Sequence, residues 1–503
     1  MKVLFIYPDF ASTPDPHQRY GYYSEGLASI SASLKVDGHE TDLYHILFPP
    51  EKDEFISKVR EYSPDLIAVA VRTSNFPYIK EFMSWCKEAV DVPLLAGGYH
   101  ATIAPEDTIA CAGVDYVCLG EGEGATVDLA NAIENGENTD SIANLWVKKA
   151  DGSIKKNDVR PMIEDLDQLP HPDYELFDYD LLEYSLIKTV PAIVSRGCPY
   201  FCTFCCNHHF RSLYPNSKKY VRFRSPEVAI AYLKKGLAAY PKAQYISFFD
   251  DILPLKRRWF KEFVALYKEE IGLPFACNAF ASGITDEIAK TLRDAGCYRI
   301  HFGVESGNFD MRKDVLRRRM TNEQIIRGFD NCHKYGIATL AYNMVGLPFE
   351  DRKKALDTIK LNARLRPNRV LAAIFYPFPH TQAHEMSIAA GFISEKDVDY
   401  GSSVLLDQPD FSKDEIKFVS AFFRPFMKLY RLSFWLPRPI GRPFERLLDR
   451  LFLIKHMPYR PLNWIARSLN MMVGWVKRLI KKRVSFLYLF LRDRVLRGSA
   501  TGR

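Results

Sequence analysis

The sequence predicts an α/β chain of two parallel-sheet units followed by an α-helical, basic tail. Three observations carry this. Short continuous Val/Ile/Leu runs alternate with helical patterns over residues 1–135, as in a doubly wound parallel sheet covered on both faces. A second series gives six strand–helix repeats between residues 186 and 393, the signature of a full or partial (β/α)6 barrel. From Ser394 the pattern changes to interleaved aromatic and basic residues broken by prolines.

The first unit reads as strands at "KVLFIYP", "ETDLYHI", "DLIAVAVR", "PLLAGGYH" and "VDYVCLGEGE". Sheets of this kind bind ligands beyond the C-terminal ends of their strands. The turns there are "RTSN" (Arg72–Asn75), "GGYHAT" (Gly97–Thr102) and "GEGEG" (Gly120–Gly124). Residues 136–185 are polar and proline-bearing, a connector with a hairpin expected at Asp151-Gly152. The barrel strands are "AIVS", "YISFFDD", "FACNAF", "RIHFGVES", "TLAYNMVGLP" and "RVLAAIFYPFP". In residues 394–503 a helical stripe runs from Ile465 to Leu491, with Lys477, Arg478, Lys481 and Lys482 beside it.

With 503 residues, 47% apolar and 26% charged, the chain is long enough for several cores and too apolar for wholesale disorder. "MKVLFIYPDF" has a short apolar run and no small-residue cleavage site, so it does not read as a signal peptide. No apolar run reaches the roughly 18 residues of a membrane span. Six cysteines are scattered singly, which fits a reducing, cytoplasmic location better than a disulfide framework. Residues 424–503 carry 19 of the 68 basic side chains and 3 of the 61 acidic ones, a balance of +16 that leaves −9 for the rest. An anionic partner is therefore expected for the tail alone.

Four cysteines fall within "RGCPYFCTFCCN" (Arg196–Asn207). Cys198, Cys202 and Cys205 have the spacing C-x3-C-x2-C, in the loop after the first barrel strand. Thiolates suit iron–sulfur clusters, and three leave one iron of a 4Fe–4S cluster open. Zinc is the rival, with His208 or His209 as fourth ligand. The bland alternative is structural cysteines crowded at a loop.

At these residues the chain resembles the radical S-adenosylmethionine (radical SAM) family. The resemblance implies that Cys198, Cys202 and Cys205 hold a 4Fe–4S cluster whose open iron is chelated by S-adenosylmethionine, with Cys206 outside the set. Phe204, directly before the third cysteine, fits the family habit. Further S-adenosylmethionine contacts are implied at strand ends: Asp250 and Asp251 in "FFDDILP", Glu305 and Ser306 in "GVESG", Gly346 and Pro348 in "NMVGLPFE". In "YPFPHT", His380 replaces the glycine of the usual P-G-T.

"GGYHATIAPED" and "VDYVCLGEGEGA" resemble the cobalamin-binding domain that precedes the barrel in one branch of this family. The implied cobalamin contacts are Ser74, Asn75, Gly97, Gly98, His100, Thr102, Gly120, Glu121 and Gly122. The D-x-H-x-x-G motif of other cobalamin proteins is not found; "DLYH" (Asp42–His45) has the wrong spacing, so no lower cobalt ligand is named. With both cofactors the resemblance implies radical methylation of an unactivated carbon. Some relatives are instead cyclases or oxidoreductases, such as the anaerobic cyclase of bacteriochlorophyll synthesis; a non-catalytic metal or tetrapyrrole-binding protein is a third reading. A flavodoxin or ferredoxin is the expected electron donor. Trp435, Trp464 and Trp475 in the basic tail suit an anionic membrane surface, hence peripheral placement on the inner face of the cytoplasmic membrane and a lipid, isoprenoid or tetrapyrrole-like small molecule as substrate. A helical cap over the barrel is the alternative. RNA ranks below both because no RNA-binding module is recognisable.

Overall fold

The computed structural model describes residues 1–12, 14–214, 219–394, 404–454 and 457–466, together with 468 and 472. The first sheet has seven strands: β1 (Lys2–Pro8), β2 (Glu40–Ile46), β3 (Leu66–Ala70), β4 (Leu94–Gly97), β5 (Tyr116–Cys118), β6 (Leu145–Lys148) and β7 (Ile154–Lys156). Their order is β2-β1-β3-β4-β5-β6-β7, and β1 to β5 are parallel. Side chains of β1 alternate between two cores. Val3, Phe5 and Tyr7 join the helices Glu25–Val36 and Glu123–Glu134, while Leu4 and Ile6 join Lys52–Tyr62 and Phe76–Ala89. A strand buried on both faces has no polar face to show, so it reads as a continuous apolar run.

The segment 136–185 is less loose than its composition suggests. The hairpin forms, with the Gly152 amide donating to the Lys149 carbonyl at 2.9 Å. Its strand β6 pairs antiparallel with β5, and β7 pairs antiparallel with β6. The first sheet thus runs past residue 135, because the hairpin covers what would be an open edge.

The second sheet comprises β8 (Thr189–Ala192), then, after the short pair β9 (Ser195–Arg196) and β10 (Arg222–Phe223), β11 (Tyr245–Phe248), β12 (Phe275–Ala279), β13 (Cys297–Glu305), β14 (Ala338–Val345) and β15 (Arg369–Ile374). The six long strands are parallel in the order β8-β11-β12-β13-β14-β15, and β15 does not pair back onto β8. This is the partial (β/α)6 barrel expected from the repeats. Along β13 and β14 buried residues alternate with half-exposed ones. The buried set meets the outer helices; the half-exposed set faces the barrel interior.

Among the described residues of the tail there are two long helices, Lys413–Trp435 and Arg438–Phe452. Ser412 and Glu415 form a capping box on the first. Pro439 lies in the first turn of the second, where its missing N–H costs little. Arg424 donates to the Val370 carbonyl at 3.1 Å, so the first helix covers the free edge of β15. The stripe expected from Ile465 to Leu491 lies almost wholly outside the described residues. Among the described residues no helix is long and apolar enough to cross a membrane.

Candidate active site

The cysteine loop leaves the barrel between β9 and β10, and Gly197 makes the turn. Its φ is +87°, and a Cβ there would stand 2.4 Å from the Tyr220 carbonyl oxygen, so no larger residue fits. Cys202 is buried, while Cys198 and Cys205 are partly exposed. Burial raises the Cys198 thiol to about 12 and raises Cys202 as well. Cys205 is held down at about 7, chiefly because the Cys206 thiol donates a hydrogen bond to it; Cys206 is pushed far up by the same bond. His208 packs edge-on against Phe201 of the same loop, 5.5 Å between centroids, and His209 lies near His380. Among the described residues no three His, Cys, Asp or Glu side chains are already drawn into metal-holding geometry.

The strand-end residues have distinct fates. Asp250 is buried, and its Oδ1 accepts from the Val194 amide at 3.0 Å and from the Ser195 hydroxyl. It thereby ties β11 to the base of the cysteine loop, and burial raises its carboxyl to about 7. Its Oδ2 has no hydrogen-bond partner among the described residues. Asp251 faces outward and accepts from the Asn207 side chain at 3.0 Å. Glu305 ends β13 at φ +64°, a conformation a non-glycine residue rarely adopts. Burial raises its carboxyl and the Arg318 guanidinium opposes this. Ser306 is buried and accepts from the Asn308 amide. Gly346 and Pro348 belong to a tight turn closed by Glu350, whose Oε2 accepts from the Gly346 amide at 2.6 Å and the Leu347 amide at 3.1 Å. Phe204 packs into an apolar cluster with Leu347, Phe375 and Met311, pinning the cysteine loop to the later barrel strands.

In the first unit the sheet order reverses direction between β1 and β3, the place where open α/β sheets bind ligands. A cavity of about 590 Å³ lies there, lined by Asp9, Arg72, Ser74, Tyr22 and Glu183 among others. Arg72 pairs with Asp9 at 2.7 Å on its wall. Several glycine-edge residues are engaged by the protein itself. Asn75 donates to the Pro8 and Phe10 carbonyls. His100 is buried beside Thr73 and the Phe76 ring. Thr102 Oγ1 bridges Gly98 and Gly120. Gly120 leaves room for the Tyr214 hydroxyl, which a Cβ would approach to 2.6 Å; Gly122 lies against Ile30. Gly97 and Gly98 keep part of their surface open.

The two sites meet. Tyr99 stacks on Phe210, 5.5 Å between centroids, so the "GGYHAT" segment packs against the helix Cys206–Ser212 that follows the cysteines. Beneath it, Arg196 pairs with Glu121 at 3.1 Å and with Glu123, and Arg222 pairs with Glu121 at 2.9 Å. Burial alone would raise Glu123, but Arg196, the Ser29 hydroxyl and a backbone hydrogen bond together hold the carboxyl below its ordinary value.

A cysteine loop on a parallel barrel, facing the ligand-binding edge of a doubly wound domain, is matched by two family models. The radical SAM superfamily model covers residues 192–361 and the B12 binding domain model residues 19–130. The chain is a B12-binding radical SAM enzyme. It is 26% identical over 394 residues to an uncharacterized methyltransferase of Pyrococcus horikoshii, covering 77% of this chain and 83% of that protein. It is 24% identical over 394 residues to the anaerobic magnesium-protoporphyrin IX monomethyl ester cyclase of Rubrivivax gelatinosus, covering 75% and 68%. Among solved structures, the radical S-adenosylmethionine methyltransferase TsrM of Kitasatospora setae, with cobalamin and a [4Fe-4S] cluster bound, aligns with a TM-score of 0.62 at 17% identity over 78% of this chain and 75% of that one.

The cofactors of this radical SAM enzyme are thus a 4Fe–4S cluster, S-adenosylmethionine and cobalamin. The residues present fit them. Three soft sulfur donors share one loop, and the buried Asp250 Oδ2 and Arg318 Nε beside it lack hydrogen-bond partners among the described residues. The cavity at the β1–β3 reversal opens at the first domain's ligand edge. Arg318, Glu350 and Arg72 were missed from sequence. Arg318 stands in an arginine-rich run, "RRRM", that looks like a solvated helix end. Only the "P-x-E" spacing could have pointed to Glu350.

Proposed function

We propose that this enzyme is a cobalamin-dependent methyltransferase acting on an unactivated carbon of a hydrophobic small molecule. The single observation that carries this is the packing of the B12-domain edge on the cysteine-loop helix through Tyr99 and Phe210, which supports a shared reaction chamber. Bound together, the three cofactors supply hydrogen abstraction and methyl transfer. The chain's residues bind and orient. Cys198, Cys202 and Cys205 would hold the cluster, and Glu305, Asp251 and the Gly346 turn would border S-adenosylmethionine. Ser74, Gly97 and Gly98 would border cobalamin.

The barrel interior supports an amphiphilic substrate. Leu340, Tyr342 and Met344 line β14 on the half-exposed face, His301 and Arg299 line β13, and Arg369 and Leu371 line β15. The relation to methyltransferases and to tetrapyrrole enzymes supports the same class. A flavodoxin or ferredoxin would deliver the electron. The tail would rest on an anionic membrane surface. Ile440, Leu447 and Leu451 are exposed on the helix Arg438–Phe452, beside Arg438, Arg442, Arg446 and Arg450 at i,i+4 spacing. Like charges so spaced repel unless neutralised.

Protein purified without oxygen should contain iron and cobalt, and incubation with S-adenosylmethionine and reductant should yield S-adenosylhomocysteine together with 5′-deoxyadenosine. Deoxyadenosine alone would favour a cyclase or oxidoreductase. Zinc without iron would defeat both readings.

A further inference from the structure

Arg318 lies in a guanidinium cage that the reaction scheme above does not use. It is 9% exposed. Its Nη1 donates to the Cys202 sulfur at 3.3 Å and its Nη2 to the Gly303 carbonyl at 2.6 Å. Its guanidinium carbon lies 4.6 Å from the Phe280 ring centre, and that ring stacks on Tyr200 of the cysteine loop at 4.0 Å.

The segment that presents Arg318 is fastened at both ends. Arg312 has no exposed surface and no carboxylate partner among the described residues. It spends its donors on the Ser306 carbonyl at 2.7 Å, the Met320 carbonyl at 3.0 Å and the Asn322 side chain at 2.6 Å. Between those ends, Thr203 stitches the segment to the cysteine loop, its hydroxyl donating to the Val315 carbonyl at 2.7 Å and its amide to the Leu316 carbonyl at 3.3 Å. Thr203 stands directly after Cys202. The guanidinium is thus held at the sulfur by the loop that carries the sulfur.

We propose that Arg318 is a positioning residue for the iron–sulfur cluster, donating to the Cys202 thiolate and raising the cluster's reduction potential, with Arg312 fixing its approach. One-electron reduction adds negative charge to the cluster, partly on its sulfur ligands. A buried cation and donor at one ligand stabilises the reduced form more than the oxidised form, and hydrogen bonds to cluster sulfurs are an established lever on potential. The inference rests on Cys202 being a cluster ligand.

The test is an anaerobic dithionite titration of the reconstituted enzyme, read by the electron paramagnetic resonance of the reduced cluster, with iron content and circular dichroism measured alongside. Arg318→Gln should load iron and be about tenfold harder to reduce, a shift of about 59 mV for one electron. Arg318→Lys keeps a cation without the fork that reaches both Cys202 and Gly303, and should shift by a smaller amount. Loaded Arg318→Gln at the wild-type potential overturns the proposal. If Arg318→Gln loads no iron, Arg318→Lys decides: a wild-type potential in it overturns the hydrogen bond's role. Folded variants of both kinds without iron also overturn it, because Arg318 would then serve assembly alone. Wild-type protein that takes up no four-iron cluster would instead defeat the reading of the cysteines, a separate failure.

Discussion

At the scale of single residues, four neighbouring thiols differ because their surroundings differ. Cys205 is held down at about 7 by the hydrogen bond from the Cys206 thiol, whereas burial raises Cys198 and Cys202. Replacing Cys198, Cys202 or Cys205 with Ala should remove iron and stop S-adenosylmethionine cleavage, whereas Cys206→Ala should retain iron, as measured by iron analysis after anaerobic reconstitution. Ligands bind as thiolates, so cluster loading on these cysteines should expel protons, chiefly from Cys198 and Cys202. Iron uptake should therefore weaken as pH falls and strengthen as it rises toward those raised thiol values. Reconstitution at pH 6.5 and pH 8.5 with equal iron checks the sign. The cysteines were legible in sequence because their spacing is local. Asp250 and Asp251 were legible only as a pair: which one turns inward depends on Val194 and Ser195, 55 residues and more away.

At the scale of elements, the apolar pattern foretold β1 to β5 and β11 to β15, since a strand covered by helices must be apolar whichever way it faces; the first barrel strand is Thr189–Ala192, ahead of the expected "AIVS" at 192–195. The composition of 136–185 misled, because β6 is a short strand of four residues and β7 is an edge strand whose residues Ile154–Lys156 are exposed throughout. Turn geometry gives a direct test. Gly197→Ala forces a side chain into the left-handed region and into the Tyr220 carbonyl. It should cost about 1–3 kcal/mol and lower iron loading more than it lowers helical signal in circular dichroism, because the strain falls on the cysteine loop alone. Asp250→Asn should loosen the same loop, and the iron content of the variant checks it.

At the scale of the whole molecule, the buried ion network of Glu121, Glu123, Arg196 and Arg222 joins the B12 domain to the first residue of the cysteine loop. Removing one charge from such a network leaves its partner buried and under-compensated. Glu123→Gln should cost about 3 kcal/mol, seen as a lower urea midpoint at pH 7. The folded-state value of Glu123 is depressed, so its stabilising contribution is present above the ordinary carboxylate range and fades as pH falls through the depressed value. The gap between wild type and Glu123→Gln should therefore narrow in acid. For the tail, flotation with vesicles of neutral and of anionic lipid decides: binding should require anionic lipid, fall with salt, and weaken in a variant with Arg442, Arg446 and Arg450 changed to Gln.

By itself the sequence determined the two α/β units, the cysteine spacing and the charge asymmetry of the tail. These are properties of neighbours along the chain: apolar period, cysteine spacing, local composition. Only the tertiary structure decided that "GEGEG" spends its carboxylates on an inter-domain clamp, that Asn75 and Thr102 hold the backbone together, and that Arg318 reaches Cys202 across 116 residues. A polar side chain near a strand end can bind a ligand or satisfy a buried partner. Which it does depends on what the fold brings beside it, and burial makes the nearest unsatisfied group win.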